Sequence, residues 1–258
     1  MKSILMAALA VAAAPHACAQ WQGALETAAR HVTMSEYEQS GKRFVRESGD
    51  LPGAGIGLSY RADRLEVFGT MRVFGATISY DGVLQNGSSY GSETATRLAQ
   101  SQLGLRYRVL PDTRAIAALE YDGWKRDIRG SAVAIGLREQ THSRRLLLGA
   151  EQTWNMRSGG KLGAGATLVH AQPERLRVQF SGVLDDASLR TRAATGYLFE
   201  LTYQPGSFAR LSLGAQFDYM KVPRSAAQPA TRNGNPAGDI TQPEHVRQGV
   251  TLLVRYLL

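Results

Sequence analysis

The sequence predicts an all-β fold, a ten-stranded antiparallel up-and-down β-barrel, along most of its 258 residues. Three observations predict it. Apolar and polar residues alternate with a period of two in several segments, which is typical of strands with one apolar face. Short turns and long polar stretches alternate along the chain, and the number of strand segments is even. The content of 43% hydrophobic and 20% charged residues is that of a folded chain.

Residues 1–19 have the pattern of a secretory signal peptide, with a positive residue followed by a short apolar run. The run is too short to span a bilayer as a helix. The small residues of Ala17-Cys18-Ala19 then provide a cleavage site. We therefore predict an exported chain with a signal peptide at 1–19 and one barrel domain at 20–258. Because Cys18 is the only cysteine, no disulfide framework or cysteine-rich zinc site can form.

Period-two alternation locates five of the ten strands directly. Each has one apolar face and one face of small, polar or charged residues. The apolar residues are, in chain order, Ala54, Ile56, Leu58 and Tyr60; Leu103, Leu105, Tyr107 and Val109; Tyr197, Phe199, Leu201 and Tyr203; Leu211, Leu213, Ala215, Phe217 and Tyr219; and Val250, Leu252, Val254, Tyr256 and Leu258.

The connections delimit the remaining strands. Short turns lie near 61–64, 110–113, 155–160 and 205–207, and longer polar stretches lie near 38–51, 82–93, 129–141, 173–190 and 222–244. The predicted strands are therefore 23–37, 53–61, 65–80, 95–109, 114–127, 142–154, 161–172, 191–204, 208–221 and 246–258. The first alternates weakly, and the seventh could extend through Leu176, Val178 and Phe180. The stretch 222–244 is rich in proline and poor in apolar residues, so we expect it to remain without regular structure.

The alternation alone leaves two kinds of barrel open. A soluble periplasmic barrel would place the apolar face inward, whereas a membrane barrel places it outward, toward lipid. The even strand count, the alternation of short and long connections, and a chain that ends within its last strand favour the membrane barrel. Tyr60, Tyr107, Trp154, Tyr203 and Tyr256 lie beside the short turns, where an aromatic girdle would meet the periplasmic interface.

The segment from Gln248 to Leu258 resembles the closing strand of a Gram-negative outer-membrane β-barrel. It alternates and carries Tyr256 near its end, although the terminal residue is Leu258 where the class usually has an aromatic. The resemblance covers the architecture of the mature chain, with an omptin-like ten-stranded barrel. It implies an outer-membrane location, short periplasmic turns, long extracellular loops, contact with lipid and lipopolysaccharide, recognition by the barrel assembly machinery, and a monomer.

Two groups of charged residues are candidate sites. A ten-stranded barrel is narrow, so inward charges of both signs should form a structural network that fills the lumen. Its predicted members are Arg72, Arg106, Glu120, Asp122, Arg126, Glu151, Glu200, Arg210, Asp218 and Arg255. The net charge of +8 on an exported chain favours lipopolysaccharide over nucleic acid as a partner, because no basic helix or zinc-finger spacing occurs. Lys125, Arg129 and Arg144 are candidate lipopolysaccharide contacts, since Arg and Lys bind phosphates well. The alternative is that they are solvated charges at the rim of the barrel.

No catalytic signature known from outer-membrane barrels is present. The omptin Asp-x-His motif is absent, none of His31, His142 and His170 begins the His-x-Ser motif of lipid A deacylases, and Gly-x-Ser-x-Gly at 87–91 lies in a loop. We therefore favour a non-enzymatic structural or adhesive surface protein, or a narrow small-solute pore, without cofactor or metal. The alternative is a hydrolase at the barrel rim, either an omptin-like protease or a lipid A-modifying enzyme. An Asp/His or Ser/His pair within hydrogen-bond reach would favour that alternative.

Overall fold

The computed structural model of the protein describes residues 20–84, 87–131 and 133–258, so the predicted signal peptide at 1–19 lies outside the described residues. Within those ranges the chain forms 14 strands. They are β1 (Gln20–Tyr37), β2 (Arg43–Ala62), β3 (Leu65–Val83), β4 (Ser89–Leu110), β5 (Thr113–Ile128), β6 (Leu137–Asn155), β7 (Lys161–Ala171), β8 (Arg175–Gln179), β9 (Ala187–Arg190), β10 (Ala194–Gln204), β11 (Leu211–Val222), β12 (Gln228–Arg232), β13 (Asn235–Ile240) and β14 (Glu244–Leu257). None of the described residues belongs to a helix with the length and apolarity needed to cross a bilayer.

Ten of the strands close into a single antiparallel barrel. Strands β1 to β7 pair in sequence order around the wall. The wall continues from β7 to β10, β11 and β14, and β14 pairs with β1 to close it. A closed sheet has no unpaired edge, which is the condition for a sheet to lie in lipid. The predicted ten-stranded antiparallel barrel is confirmed.

The four remaining strands form two hairpins at the end of the barrel that carries the long connections, which we call the long-loop end. The hairpin β8–β9 continues β7 and β10 beyond short interruptions at 172–174 and 191–193, and β8 still pairs with β6. The interruption is bridged where the backbone N–H of Glu174 donates to Thr191 Oγ1 at 2.9 Å. The predicted extension of the seventh strand is therefore present as a separate strand, β8.

The expectation that 222–244 lacks regular structure is wrong. This stretch forms the second hairpin, β12–β13. Its turn is Asn233-Gly234, and both residues have positive φ, 53° and 77°. An Asn-Gly pair with this backbone favours a tight two-residue hairpin turn, because its twist matches that of the flanking strands. The Asn-Gly turn therefore predicts the structure of this stretch better than its low apolar content does.

The outward face of the barrel is apolar along a continuous belt. Leu103 on β4 and Leu201 on β10 are 58% and 55% exposed, although a water-soluble barrel would bury such residues. Exposed aromatic residues ring the short-turn end of this belt, including Trp21, Tyr107, Trp154 and Tyr256. An apolar belt bordered by aromatic residues is the surface of a membrane-spanning barrel.

Several strands are longer than predicted at the long-loop end. β2 begins at Arg43 and not at 53, and β4 begins at Ser89 and not at 95. Most of the polar stretches 38–51 and 82–93 is therefore strand. Beyond the lipid the outward face of the barrel is in contact with water, so outward residues there no longer need to be apolar. The period-two pattern is lost in these segments, although the backbone pairing between strands continues.

An apolar layer crosses the lumen in its outer half. Val32, Leu51, Phe74, Ile78, Leu98 and Trp124 form this layer, which we call the lumen layer, and all six are buried. A Cβ atom on the facing Gly53 would overlap the Phe74 ring, so glycine there lets the ring approach β2 closely. Sequence reasoning missed this layer because it assigned only charged residues to the interior.

Candidate functional site

Between the lumen layer and the short-turn end, the lumen is lined by ion pairs between inward side chains. Glu26 accepts hydrogen bonds from Arg72 at 2.6 Å and from Arg255 at 2.7 Å, so one buried carboxylate joins β1, β3 and β14. Glu66 does the same for Arg106, at 2.7 Å, and for Arg61, at 2.6 Å. Each carboxylate lies between two guanidinium groups, so the buried charges are compensated.

A second set of ion pairs lies nearer the middle of the barrel. Arg145 contacts Glu120 and Asp122, both at 3.0 Å. Arg30 contacts Asp218 at 2.8 Å. Arg247 contacts Glu174 at 3.0 Å. The Arg145 pairs join the neighbouring strands β5 and β6, whereas the Arg30 and Arg247 pairs join parts of the chain that are far apart in sequence.

The outermost set surrounds a single guanidinium group. Arg126 on β5 contacts Glu47 on β2 at 2.8 Å, Glu139 on β6 at 2.6 Å and Glu36 on β1 at 3.4 Å. Thr94 Oγ1 also donates to Glu47 at 2.9 Å. Arg126 and Glu47 are almost completely buried. We call Arg126 and its three carboxylates the Arg126 cluster, and together with the lumen layer it fills the outer half of the lumen.

Nine of the ten residues predicted for the lumen network lie on inward-facing strand positions. They are Arg72, Arg106, Glu120, Asp122, Arg126, Glu151, Glu200, Asp218 and Arg255. Arg210 is a correction. It lies in the turn before β11, exposed at the short-turn end, and forms no ion pair with a described carboxylate. The strand begins at Leu211 and not at 208, so Arg210 never enters the lumen.

The network also contains residues that sequence reasoning missed. They are Glu26, Arg30, Glu36, Glu47, Glu66, Glu139, Arg145, Glu174 and Arg247. Arg30 lies on the weakly alternating first strand. Glu47, Glu139 and Glu174 fall in stretches predicted to be loops. Odd and even numbering could have found two of them. The inward residues of β2 and β6 have odd numbers, and Glu47 and Glu139 continue that series beyond the predicted strand limits.

The open part of the lumen is a blind vestibule. A cavity of about 420 Å³ is lined at the short-turn end by Arg61, Gln204 and Leu257. It shares lining residues, Phe68 and Arg106 among them, with a deeper cavity of about 100 Å³ that reaches the lumen layer. Beyond that layer the interior is filled by buried side chains. The vestibule therefore opens toward the short-turn end and is closed toward the long-loop end.

A group of basic residues faces outward above the apolar belt. Arg97 on β4 lies directly opposite Lys125 on β5, and both are exposed. Arg144 faces outward on β6 at the edge of an open groove of about 630 Å³ that Leu103, Leu119 and Leu146 also line. None of Arg97, Lys125 and Arg144 forms an ion pair with a described carboxylate. Arg129 differs from these three, because it contacts Glu93 at 2.8 Å.

A chain of hydrogen bonds lies on the outward face of β1 and β2. His31 lies opposite Asp50, and Thr33 lies opposite Ser48. His31 Nδ1 lies 2.8 Å from Asp50 Oδ1, and His31 Nε2 lies 3.2 Å from Ser48 Oγ. Thr33 Oγ1 lies 3.1 Å from Ser48 Oγ. We call these four residues the His31 chain. Sequence reasoning tested His31 only against residues adjacent in sequence, whereas its partners lie across the strand pair.

The other rim residues considered from sequence do not come together. Asp81 on β3 and His142 on β6 both face outward, with β4 and β5 between them. His142 is instead hydrogen-bonded to the Tyr121 hydroxyl at 2.6 Å. In the described part of the chain, no group of three or more His, Cys, Asp or Glu side chains is arranged to hold a metal ion.

The two outer hairpins are docked to each other through Asp185, which lies in the β8–β9 turn. Its carboxylate accepts hydrogen bonds from Thr231 Oγ1 at 2.6 Å and from the backbone N–H groups of Asn233 and Gly234. These bonds favour the charged carboxylate, so they lower the pKa of Asp185, with the Thr231 hydroxyl as the largest cause. The hairpins thus form one platform at the long-loop end.

Comparison with known proteins agrees with this architecture. The outer-membrane protease OmpT from Escherichia coli superposes with a TM-score of 0.62 at 9% identity, over 93% of this chain and 96% of that chain. The translocator domain of the autotransporter NalP from Neisseria meningitidis gives a TM-score of 0.49 at 12% identity, over 91% and 88% of the two chains. No protein-family model and no curated protein sequence matches. The likeness to OmpT shows the fold, a closed ten-stranded antiparallel β-barrel of the kind found in outer-membrane proteins, with short turns at one end and long connections at the other.

Proposed function

We propose that this protein is an integral outer-membrane surface protein with a sealed lumen, whose structural or adhesive function is carried out at its extracellular end. The observation that supports this most is the closure of the lumen by the lumen layer and the Arg126 cluster. A solute entering the vestibule from the periplasm meets buried side chains and ion pairs before it can reach the outside. This arrangement argues against the small-solute pore.

Planar-bilayer recording tests the sealed lumen. The purified barrel should give no steady conductance. A variant with Leu51→Ala, Leu98→Ala and Trp124→Ala removes half of the lumen layer and should raise the frequency of open events. Large, stable currents from the unaltered barrel would refute the proposal. Leu103→Ala, on the lipid-facing side of the same strand as Leu98, is the matched control and should leave the recording unchanged.

The docked hairpins support a role in surface recognition, because they form an ordered platform on a rigid barrel. Replacing residues 228–240 by a short turn should leave the barrel folded, since the pairing of β11 with β14 ends at Val222 and His245. Cells that display the full chain should aggregate more than cells that display the shortened chain at equal surface amounts. Equal aggregation would remove the adhesive role and leave the structural one.

We also propose that the outward basic group contacts the phosphates of lipopolysaccharide. Like charges directly opposite in a strand pair destabilise it. Arg97 and Lys125 lie directly opposite each other, and neither forms an ion pair with a described carboxylate. An anion from outside the chain would relieve this repulsion, and Arg144 would place a third cation above an apolar groove. Arg129 contributes less to this proposal, because Glu93 already neutralises it.

Retention of lipopolysaccharide on the purified barrel, measured by native mass spectrometry, tests this contact. The variant Arg97→Gln with Lys125→Gln should retain less than the unaltered chain. Arg138→Gln is the matched control, because Arg138 is equally exposed but already paired with Asp127 at 3.1 Å. If the control and the double variant lose lipopolysaccharide equally, the contact reflects net charge and not this site.

A further inference from the structure

The His31 chain has the connectivity of a serine nucleophile with its base and an orienting carboxylate. From this geometry we propose that Ser48, His31 and Asp50 form an esterase site for acyl esters of outer-membrane lipids. Catalytic groups of this kind are recognised by mutual geometry and not by sequence spacing. The distances of 2.8 Å from Asp50 to His31 and 3.2 Å from His31 to Ser48 satisfy the requirement that each group lie within hydrogen-bond reach of the next.

The direction of the hydrogen bonds follows from the chemistry of the three groups. An ionised Asp50 carboxylate can only accept, so Nδ1 of His31 must carry the proton in that bond. In the neutral ring Nε2 is then the acceptor, and the Ser48 hydroxyl donates to it. The carboxylate therefore selects the tautomer in which His31 can take the Ser48 proton, which is the role of the orienting group in a triad.

The location of the site indicates a lipid substrate. Along β1 and β2, the outward pair next to His31 and Asp50 on the lipid side is Ala29 and Pro52, and Val250 lies beside His31 on β14. The site therefore lies at the border between the apolar belt and the polar extracellular part of the wall. The ester carbonyls of membrane lipids lie at this interface, between the hydrocarbon and the headgroups. A lipid diffusing in the outer leaflet can reach an outward-facing site directly.

Neighbouring residues provide the contacts that a lipid ester needs. Thr33 Oγ1 lies 3.1 Å from Ser48 Oγ, and in this proposal its hydroxyl turns to donate to the oxyanion that forms beside Ser48. Arg46 is exposed two residues beyond Ser48 on the same face, without an ion pair to a described carboxylate. It lines a depression of about 260 Å³ together with Thr33 and Gln248. A guanidinium group there can bind a headgroup phosphate.

The reaction is an ordinary two-step ester hydrolysis. Ser48 Oγ attacks the ester carbonyl carbon while its proton passes to Nε2 of His31. The intermediate then collapses, the bond to the alcohol oxygen breaks, and the alcohol leaves with the proton from His31. Water, deprotonated by His31, attacks the acyl-Ser48 ester and releases the fatty acid with regeneration of the Ser48 hydroxyl. The net change is ester plus water to acid plus alcohol, with no oxidant or cofactor.

Two measurements on the refolded full-length barrel test the site. A fluorophosphonate probe should label the unaltered chain at Ser48 and should not label Ser48→Ala. Fatty-acid release should then be measured from phospholipid vesicles and, separately, from lipopolysaccharide, so that the two arms distinguish the source of the ester. Ser48→Ala and His31→Asn should each lower the rate of release by at least about 10³-fold. Asp50→Asn should lower it as well, by disturbing the tautomer of His31.

Ser79→Ala is the matched control. Ser79 is an exposed hydroxyl directly opposite Ser48 on β3, and it donates to the Ser48 carbonyl and not to a histidine. This variant should keep both labelling and release. The inference is overturned if the folded barrel is not labelled and releases fatty acid from neither lipid, or if release persists in Ser48→Ala. Neither outcome affects the sealed lumen, because the site lies on the outside of the wall.

Discussion

At the scale of single residues, Arg126 is the buried cation with the most ionic partners in the described part of the barrel. Its guanidinium lies among three carboxylates, and the closest of these belongs to Glu139, at 2.6 Å. Charges removed from water are costly unless they are paired and hydrogen-bonded. Arg126 therefore acts as the shared counter-ion for Glu36, Glu47 and Glu139, and its positive charge offsets the cost of burying these carboxylates.

Removing this guanidinium should be strongly destabilising. Arg126→Ala should lower the free energy of unfolding by about 3–5 kcal/mol, because it leaves buried carboxylates without a cation. Arg138→Ala, which breaks the exposed pair with Asp127, should change it by less than about 1 kcal/mol. Urea unfolding of both variants in lipid vesicles measures the difference. Similar losses for the two variants would mean that the Arg126 cluster is not desolvated in the folded barrel.

The lipid-facing belt makes a separate prediction at the same scale. Leu252 is exposed midway along the outward face of β14, so Leu252→Arg should cost about 2–4 kcal/mol of barrel stability. Leu110 is equally exposed but lies beside the short turn between β4 and β5, and Leu110→Arg should cost about 0–1 kcal/mol, since the penalty falls toward the interface. Refolding titrations in vesicles compare the two. Equal costs would contradict the depth assigned to the belt.

At the scale of elements, the two outer hairpins are coupled through Asp185. Because docking lowers the pKa of this carboxylate, the charged form stabilises the docked state. This contribution is present above the undocked pKa of about 3.8 and is lost as the pH falls through the lower docked pKa. Hydrogen-exchange protection factors at Asn233 and Gly234 should therefore drop between pH 6 and pH 3, and Asp185→Asn should abolish this dependence. Protection that is unchanged at low pH would mean that the carboxylate does not hold the turn.

The elements also show how far sequence reasoning reaches. The membrane-spanning parts of the strands could be predicted, because lipid imposes an apolar residue at every second position. Their extensions at the long-loop end could not be predicted. In residues 43–52 of β2 the outward face is polar, and the inward face mixes apolar Leu51 and Val45 with charged Glu47, so no regular alternation remains. The His31 chain was missed for a related reason. Register across β1 and β2 brings Asp50 and Ser48 to His31. This register depends on the exact length and geometry of the connection between the two strands, and that connection was predicted as part of a longer loop at 38–51.

At the scale of the whole molecule, the barrel combines an apolar exterior with an interior that is filled in its outer half. The interior could be predicted only in part. Inward charges follow from parity and barrel size, whereas the lumen layer contains apolar residues at inward positions, which alternation alone assigns to lipid. Leu98 illustrates the ambiguity, since it is buried in the lumen while Leu103, five residues later on the same strand, faces lipid.

Two claims, that the lumen is closed and that the long-loop end faces the outside of the cell, are tested most directly by cysteine accessibility. Residues 20–258 contain no cysteine, so a single introduced thiol can be labelled without background. Thr70→Cys places a thiol in the vestibule, and Arg232→Cys places one on the outer hairpin platform. A maleimide attached to a polymer too large for porins should be added to intact cells and a small maleimide to outer-membrane fragments that are open on both sides. We predict that Arg232→Cys is labelled in both preparations and Thr70→Cys only in the fragments, from the periplasmic face. Labelling of Thr70→Cys in intact cells, or protection of Arg232→Cys there, would contradict the closed lumen or the orientation of the barrel.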